Sequence, residues 1–167
     1  MPAPLTFEVT RRIAAPVPAV WSVLGDFGRE HRWTKSVLHC ERDTETVRVG
    51  TARTCTLPRA LMGRRKVREQ LTEYRPGHSL AYTLEGPAGP FASAASRWLT
   101  TVGSEGATLL TVQGFFTASN VFARILLWPL AKPAIRHLTA RVMRELETFV
   151  LAAGASTGAS SRPARSV

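Results

Sequence analysis

The longest regular pattern of apolar residues lies near the C-terminal end of the chain. Between Ala134 and Ala152, apolar residues recur at a spacing of three or four, which predicts an amphipathic helix. The apolar stripe contains Ile135, Leu138, Val142, Met143, Leu146, Phe149 and Val150. Pro129 and Pro133 precede the stripe, and proline removes a backbone donor and clashes with the preceding turn. We therefore expect a short apolar helix over 121–128, then a kink, and then the main helix.

Short segments of alternating apolar and polar residues fill most of the chain before this helix. Such alternation predicts strands with one buried face. The segments lie approximately at 5–10, 36–43, 48–57, 66–74, 79–85, 94–102 and 108–116. Two short helical segments, about 17–24 and 29–33, follow the first strand. This order predicts an α+β fold, in which a seven-stranded antiparallel curved sheet wraps around the long C-terminal helix and buries its stripe.

The composition changes near the end of the chain. From Gly154 onward the residues are mostly glycine, serine and alanine, with no large apolar side chain before Val167. A segment of this kind cannot bury enough apolar surface to offset the loss of chain entropy. We therefore expect one domain over 1–153, which suits the chain length, and a disordered tail over 154–167.

The chain is strongly basic, with 22 Lys and Arg residues against 12 Asp and Glu residues and a net charge of +10. Such a surface attracts anions in general. No nucleic-acid recognition motif and no array of aromatics among the basic residues is found, so nucleic acid is an unlikely partner. Three alternatives stay open: a solvated basic surface, an anionic membrane surface, or a homodimer. The basic residues around 59–68 and the apolar segment 121–128 would serve a membrane, and 121–128 would also serve a dimer.

The two cysteines, Cys40 and Cys55, lack the spacing of a zinc site. Both lie in strand-like segments, where we expect reduced, buried side chains. The four histidines form no metal-ligand or catalytic-triad spacing, so no metal and no cofactor is predicted. The N-terminal residues lack the pattern of a signal peptide, and the most apolar run, 125–131, is too short to cross a bilayer. A cytoplasmic location is therefore expected.

A series of short motifs occurs in the order found in a known superfamily. The motifs are IAAP at 13–16, VW at 20–21, DF at 26–27, Trp33, VGTAR at 49–53, REQL at 68–71 and LAY at 80–82. The chain resembles, over about 5–152, the START-like superfamily, also called the polyketide cyclase and lipid transport superfamily or helix-grip fold. The resemblance implies a cavity between the sheet and the C-terminal helix. Members include lipid carriers, plant hormone receptors, aromatic polyketide cyclases and quinone-binding proteins, so the fold alone assigns no activity.

Two charged residues, Arg53 and Glu69, share strand faces with apolar side chains. Residues two apart on a strand point to the same side, so Arg53 shares a face with Cys55, and Glu69 shares one with Leu71. If the hairpin is centred near Leu61, the two charged residues are directly opposite each other, and a cross-strand ion pair on the concave face is expected. This pair is either a structural brace in the cavity wall or an anchor for a ligand carbonyl, hydroxyl or carboxylate.

Further candidate ligand contacts lie on the next strands and on the helix. Tyr82 and Trp98 occupy inward positions of their strands, and Leu138 and Val142 lie on the apolar stripe of the helix. A buried tyrosine hydroxyl needs a hydrogen-bond partner. Glu69 is one candidate for that partner, and a hydroxyl at the rim of the cavity is the alternative.

Two loops, 58–65 and 86–91, carry apolar residues at expected exposed positions. These residues are Leu61, Met62 and Phe91. In the hormone receptors that the chain resembles, the corresponding loops gate the cavity, which implies that the three side chains close over a ligand. Ordinary hairpin loops with apolar tips are the alternative.

The sequence therefore predicts a protein that binds or transports a hydrophobic small molecule, such as a lipid, a quinone or a polyketide-like aromatic. One alternative is a polyketide cyclase or aromatase in which Glu69 acts as the base and Arg53 or Tyr82 holds an enolate oxygen. An adjacent arginine makes a glutamate a poorer base, which favours binding over catalysis. A homodimerising interaction module is the third hypothesis.

Overall fold

The protein is described by a computed structural model over residues 4–61, 64–86 and 91–159. Its strands form a single antiparallel sheet in the order β1-β7-β6-β5-β4-β3-β2. The strands are β1 (Leu5–Ile13), β2 (His39–Arg42), β3 (Ala52–Leu61), β4 (Arg64–Arg75), β5 (Ser79–Leu84), β6 (Phe91–Val102) and β7 (Thr108–Ala118). The predicted α+β fold, a seven-stranded curved sheet with a long C-terminal helix, is confirmed.

One α-helix follows the first strand, and the longest helix follows the last strand. Helix α1 (Val17–Leu24) and a 3₁₀ turn (Glu30–Arg32) connect β1 to β2, as expected, and a second 3₁₀ turn (Ser104–Gly106) connects β6 to β7. A π-helical turn (Ala123–Leu127) leads directly into helix α2 (Trp128–Ala159). None of the helices in the described part of the chain combines the length and the apolar composition that a bilayer crossing requires.

The start of the C-terminal helix differs from the prediction. Helical structure is continuous from Val121, and α2 already begins at Trp128 and contains Pro133. The backbone N–H of Trp128 donates to the carbonyl of Ala123, five residues back. This wider turn lies immediately before Pro129 and needs no donor from that proline, so helical structure continues through the segment where the kink was expected.

The end of the helix also differs from the prediction. Helix α2 continues past Gly154 to Ala159, so residues 154–159 are helical rather than disordered. Residues 160–167 of the expected tail lie outside the described residues, and the division at residue 153 stays a prediction.

The second and third strands begin later than the alternation predicts. Residues 43–51 form a loop, because Gly50 has a positive φ of 92° and the hydroxyl of Thr51 accepts a hydrogen bond from the Arg48 backbone at 3.1 Å. By contrast, β3 extends to Leu61 and β4 begins at Arg64, so most of the loop expected over 58–65 is strand.

The core has two main parts on the concave side of the sheet. The larger part packs α1 and the C-terminal half of α2 on the sheet, and there Met143, Leu146 and Val150 are fully buried. The smaller part is an aromatic cluster near the start of α2, formed by Leu5, Phe7, Phe91, Phe116 and Trp128. The middle of α2 borders the space between these two parts.

Candidate ligand-binding site

A cavity of about 690 Å³ lies between the concave face of the sheet and α2. Most of its wall is apolar, and its size is within the range of sites that enclose small organic molecules. Seven of the residues predicted from the sequence line it: Arg53, Cys55, Glu69, Tyr82, Trp98, Leu138 and Val142. The structure therefore brings these residues to one cavity, and their contact with a ligand stays a prediction.

The ion pair expected between neighbouring strands is present in the cavity wall. Arg53 on β3 is directly opposite Glu69 on β4, and Cys55 is opposite Val67. Nε of Arg53 donates to Oε2 of Glu69 at 2.6 Å. The hairpin itself is not symmetric about Leu61, since the register shifts beyond Thr56. Arg53 still pairs with Glu69 because the register shift lies between these residues and the hairpin loop.

A second carboxylate, that of Glu30, completes the site and was not predicted from the sequence. Nη1 of Arg53 donates to Oε1 of Glu30. The backbone N–H of Gly28 donates to the same carboxylate, at 3.2 Å from Oε1 and 3.1 Å from Oε2. Glu30 opens the 3₁₀ turn after α1 and lies within a run of charged residues without apolar alternation. No periodicity signal marks such a residue as buried. We call Glu30, Arg53 and Glu69 the polar cluster.

Two aromatic rings cover the faces of the Arg53 guanidinium. Its central carbon lies 4.0 Å from the ring centre of Phe27 and 4.5 Å from that of Tyr82. Cations are attracted to ring faces, the more so when water is excluded. The two carboxylates hold the edge of the guanidinium, so its orientation is fixed from all sides.

The polar cluster has one more carboxyl group than it has cations. Burial raises the pKa of Glu30, although Arg53 and backbone hydrogen bonds act in the opposite direction. Burial acts to lower the pKa of Arg53, but the charges of Glu30 and Glu69 outweigh it and the pKa lies above its usual value. The arginine therefore stays charged, and Glu30 takes up a proton more readily than an exposed glutamate does.

The hydroxyl of Tyr82 is not hydrogen-bonded to Glu69, which was one of the two expected arrangements. It lies near Ser96 and Trp98 of β6, and burial followed by the charge of Glu69 raises its pKa. The buried Nε1 of Trp98 makes no well-formed hydrogen bond within the described residues, and neither does the buried Oγ of Ser36. Both residues line the cavity, but these two polar atoms are themselves buried in its wall.

The cysteines differ from the prediction in their oxidation state. Cys40 and Cys55 are both buried, as expected, but they form a disulfide instead of two thiols. The pairing of β2 with β3 places them directly opposite each other, which the sequence separation alone did not indicate. Both sulfurs lie within 4.8 Å of a Glu30 carboxylate oxygen. With the sulfurs bonded to each other and Glu30 held by Arg53, this group does not fit a metal site.

The proposed loop gate is only partly described. Leu61 is the last residue of β3, and Met62 lies outside the described residues. Phe91 is the first residue of β6 and is 1% exposed. Its ring lies 5.2 Å from that of Phe116 and 5.9 Å from that of Trp128. Because β6 begins three residues earlier than expected, Phe91 is a core residue and not a loop tip over the cavity.

The edge of the cavity has the opposite charge from the polar cluster. Lys35 and Arg141 are exposed and contribute to the lining together with Thr34, Ser36 and Thr139. Glu145 fixes this edge, since it accepts hydrogen bonds from the Thr34 hydroxyl and, at 3.0 Å, from the Lys35 backbone, and it offsets part of the positive charge by pairing with Arg141 at 3.4 Å. We call Lys35 and Arg141 the basic rim. The cavity thus has a carboxylate-rich wall and a cationic edge.

Comparison with solved structures shows the same fold. Ara h 8.0201 superimposes with a TM-score of 0.70 at 14% identity, covering 89% of this chain and 99% of that one. TTHA0849 from Thermus thermophilus gives 0.69 at 20% identity, with 89% and 99% coverage. An uncharacterised protein from Bacillus thuringiensis gives 0.67 at 16% identity, with 88% and 99% coverage. At these identities the likeness concerns the fold alone.

Sequence comparison identifies the family. No protein of curated function matches the chain by sequence. The family model described as "Polyketide cyclase / dehydrase and lipid transport" matches residues 4–150, nearly the whole described domain. The resemblance inferred from the motif order is thereby confirmed. With its helix-grip architecture and its mainly apolar cavity, the chain belongs to the polyketide cyclase/dehydrase and lipid transport family.

Proposed function

We propose that this protein binds a hydrophobic small molecule in the cavity between the sheet and α2. The observation that carries the proposal is the cavity itself, about 690 Å³ of mainly apolar wall interrupted by one compact, buried polar cluster. Apolar pockets with a few placed polar groups are the usual form of small-molecule sites. The family supports hydrophobic ligand binding in this coarse sense.

The charges around the cavity favour a particular distribution of polar groups on the ligand. The polar cluster has two carboxyl groups for one guanidinium, so it suits a hydrogen-bond donor such as a phenol or alcohol better than a carbonyl or an anion. The basic rim suits a carboxylate or a phosphate. A ligand with a hydroxyl at one end, an apolar body and an acidic group at the other end matches both.

The side chains around the polar cluster favour an aromatic body. Phe27, Tyr82 and Trp98 line this part of the cavity, and aromatic pairs gain from offset or edge-to-face contacts beyond the area that they bury. Among the expected ligand classes, a hydroxylated polyketide-like aromatic or a quinol therefore fits better than an oxidised quinone or a simple lipid tail.

A displacement assay tests this proposal. The probe is 8-anilinonaphthalene-1-sulfonate, which combines an aromatic body with an anionic group, and candidate phenolic acids compete with it. Native mass spectrometry and solvent extraction of the purified protein identify any ligand that is retained. We expect Glu69→Gln to weaken displacement by phenolic acids and Glu41→Gln, at an exposed position of β2, to leave it unchanged. Absence of probe binding and of any co-purifying molecule would contradict the proposal.

A second candidate function is supported by Glu30. Burial raises the pKa of Glu30, and a carboxyl group that takes up a proton more readily, next to an arginine in a ligand cavity, has the properties of a general acid. In a cyclase, Glu69 would remove a proton from the carbon between two carbonyls, and Glu30 would donate its proton to the enolate oxygen. Deuterium uptake by a β-diketone probe in heavy water measures this step. If the protein catalyses this step, Glu30→Gln and Glu69→Gln should lose deuterium uptake and Glu41→Gln should keep it. Uptake that is no faster with the unsubstituted protein than without protein would rule out catalysis.

The remaining expectations about partners and location stay predictions. An anionic membrane surface and a second copy of the chain both remain candidate partners, and nucleic acid remains an unexpected one. The cytoplasmic location is likewise a prediction from the N-terminal sequence.

A further inference from the structure

The first turns of the C-terminal helical segment have an outward face without a single charged residue. The eight residues of this face, which we call the apolar face, are all exposed: Val121, Phe122, Ile125, Leu126, Pro129, Leu130, Pro133 and Ala134. Ile125 is 68% exposed and Leu130 is 71% exposed. On the opposite side of the same turns, Ala123 and Trp128 are buried against the protein. An apolar surface of this extent is unusual for a face that meets only water.

Basic residues without acidic ones accompany the apolar face. No aspartate or glutamate occurs from Gly106 to Arg144, and Glu145 is the first acidic residue after this stretch. The same stretch contains the basic residues Arg124, Lys132, Arg136, Arg141 and Arg144. A helix with an apolar face and only basic charges has the properties of an interfacial helix that lies on anionic lipid.

We propose that the apolar face docks onto an anionic lipid surface. Lipid suits it better than a second copy of the chain, because each copy has a net charge of +10 and two copies would bring the same basic stretch together. Negatively charged headgroups, by contrast, attract basic residues next to the inserted side chains. The proposal concerns a surface outside the ligand cavity and does not depend on what the cavity binds.

The apolar face lies directly before the part of the helix that lines the cavity. The next turns of the same helix, with Ile135, Leu138 and Val142, form part of the cavity wall, and Arg141 of the basic rim follows on this helix. Docking would therefore hold the helical wall of the cavity beside the lipid surface, where a hydrophobic ligand can be exchanged without crossing water.

Vesicle co-sedimentation tests the proposal. The vesicles consist of phosphatidylcholine alone or of phosphatidylcholine mixed with phosphatidylglycerol, each at low and high salt. We expect binding only to the mixed vesicles, weakened by salt, and reduced about tenfold in the double variant Ile125→Ser/Leu130→Ser through the loss of apolar insertion. The matched control, Val49→Ser/Val102→Ser, changes two exposed apolar residues elsewhere and should bind as the unsubstituted protein does.

Three results would overturn the proposal. One is that the unsubstituted protein does not bind the mixed vesicles, and another is that both double variants lose binding equally. The third is a concentration-dependent dimer, measured by analytical ultracentrifugation, that Ile125→Ser/Leu130→Ser abolishes while vesicle binding is unchanged, because a second copy would then be the occupant of the apolar face. Circular dichroism verifies that the variants are folded.

Discussion

Arg53 and Glu30 form a buried ion pair between parts of the chain 23 residues apart, the strand β3 and the turn that follows α1. This contact connects the sheet to the helical segment at one end of the cavity. It also sets the charge of the cavity wall, since Glu69 binds the same guanidinium at 2.6 Å. The stability of the fold and the chemistry of the site therefore depend on the same arginine.

Replacement of Arg53 by methionine should strongly destabilise the protein at neutral pH. The change leaves Glu30 and Glu69 buried side by side without a cation, and loss of one partner from a buried ion pair costs about 3–5 kcal/mol. Urea unfolding measures the change in free energy. The control is Arg68→Gln, which removes partly exposed pairs with Asp43 and Glu85 and should cost less than about 1 kcal/mol. Equal effects of the two substitutions would contradict the role given to Arg53.

Glu30 should make the protein less stable as pH rises through its titration. Its pKa in the folded state is raised above the ordinary value of 4.5 by burial, so the folded state binds the proton more tightly than the unfolded chain does. The stabilisation from this proton is complete below the unfolded pKa and is lost as pH rises through the folded pKa. Urea unfolding at a series of pH values should show this loss, and Glu30→Gln should remove it.

Glu145 provides a control with the opposite sign. Burial acts to raise its pKa, but hydrogen bonds from Thr34 and Lys35 outweigh burial and the pKa lies below the ordinary value. Its contribution to stability is therefore present above the unfolded pKa and is lost as pH falls through the folded pKa. Glu145→Gln should reduce the loss of stability in acid. The same pH slope in both variants would show that neither residue is responsible.

Reduction of the disulfide should lower the free energy of unfolding. The two cysteines are 15 residues apart, and a cross-link over such a loop stabilises a protein by about 3 kcal/mol in the chain-entropy model. Urea unfolding with and without a phosphine reductant measures the difference, and thiol titration of the denatured protein counts the free cysteines. Cys40→Ala/Cys55→Ala should be insensitive to the reductant. Two titratable thiols in the untreated protein would show that the disulfide does not form.

Replacement of Gly114 by alanine should destabilise the packing of Phe7. The two residues are paired across β1 and β7, and a Cβ at Gly114 would overlap the phenylalanine ring. Displacement of the ring should cost about 1–3 kcal/mol, as is typical of overpacked cores. Thermal or urea unfolding measures the effect. In a Phe7→Leu background the smaller side chain leaves room, so the same substitution should cost less, and an undiminished cost would argue against the steric explanation.

A large side chain at Leu138 should fill the cavity without damage to the core. Leu138 is 37% exposed and lines the cavity from α2, so Leu138→Trp places an indole where a ligand would lie. Binding of the anilinonaphthalene probe should weaken by about tenfold or more, since a pocket must bury most of its ligand. Leu151→Trp, on the same helix but away from the cavity, is the control. Equal probe binding by both variants would place the probe elsewhere.

Local patterns in the sequence determined the sheet, the apolar stripe of the helix and the ion pair between Arg53 and Glu69. Side-chain direction repeats every two residues in a strand and about every 3.6 residues in a helix. The pattern of neighbouring residues therefore indicates which face of the element each side chain occupies. Parity placed Arg53 and Glu69 on the inner face of one hairpin, and the assumed centre near Leu61 gave the right partner because the register shift lies beyond Thr56. The family resemblance then supplied the cavity.

Only the tertiary structure decided which residues from separate elements meet. Glu30 lies in a charged run without periodicity, and its burial depends on how the turn after α1 packs against β3. The disulfide depends on the register between β2 and β3, across an irregular loop. Phe91 became a core residue because the aromatic cluster at the start of α2 provides a surface for it. Contacts of this kind depend on the packing of whole elements, and no local repeat in the sequence encodes that packing.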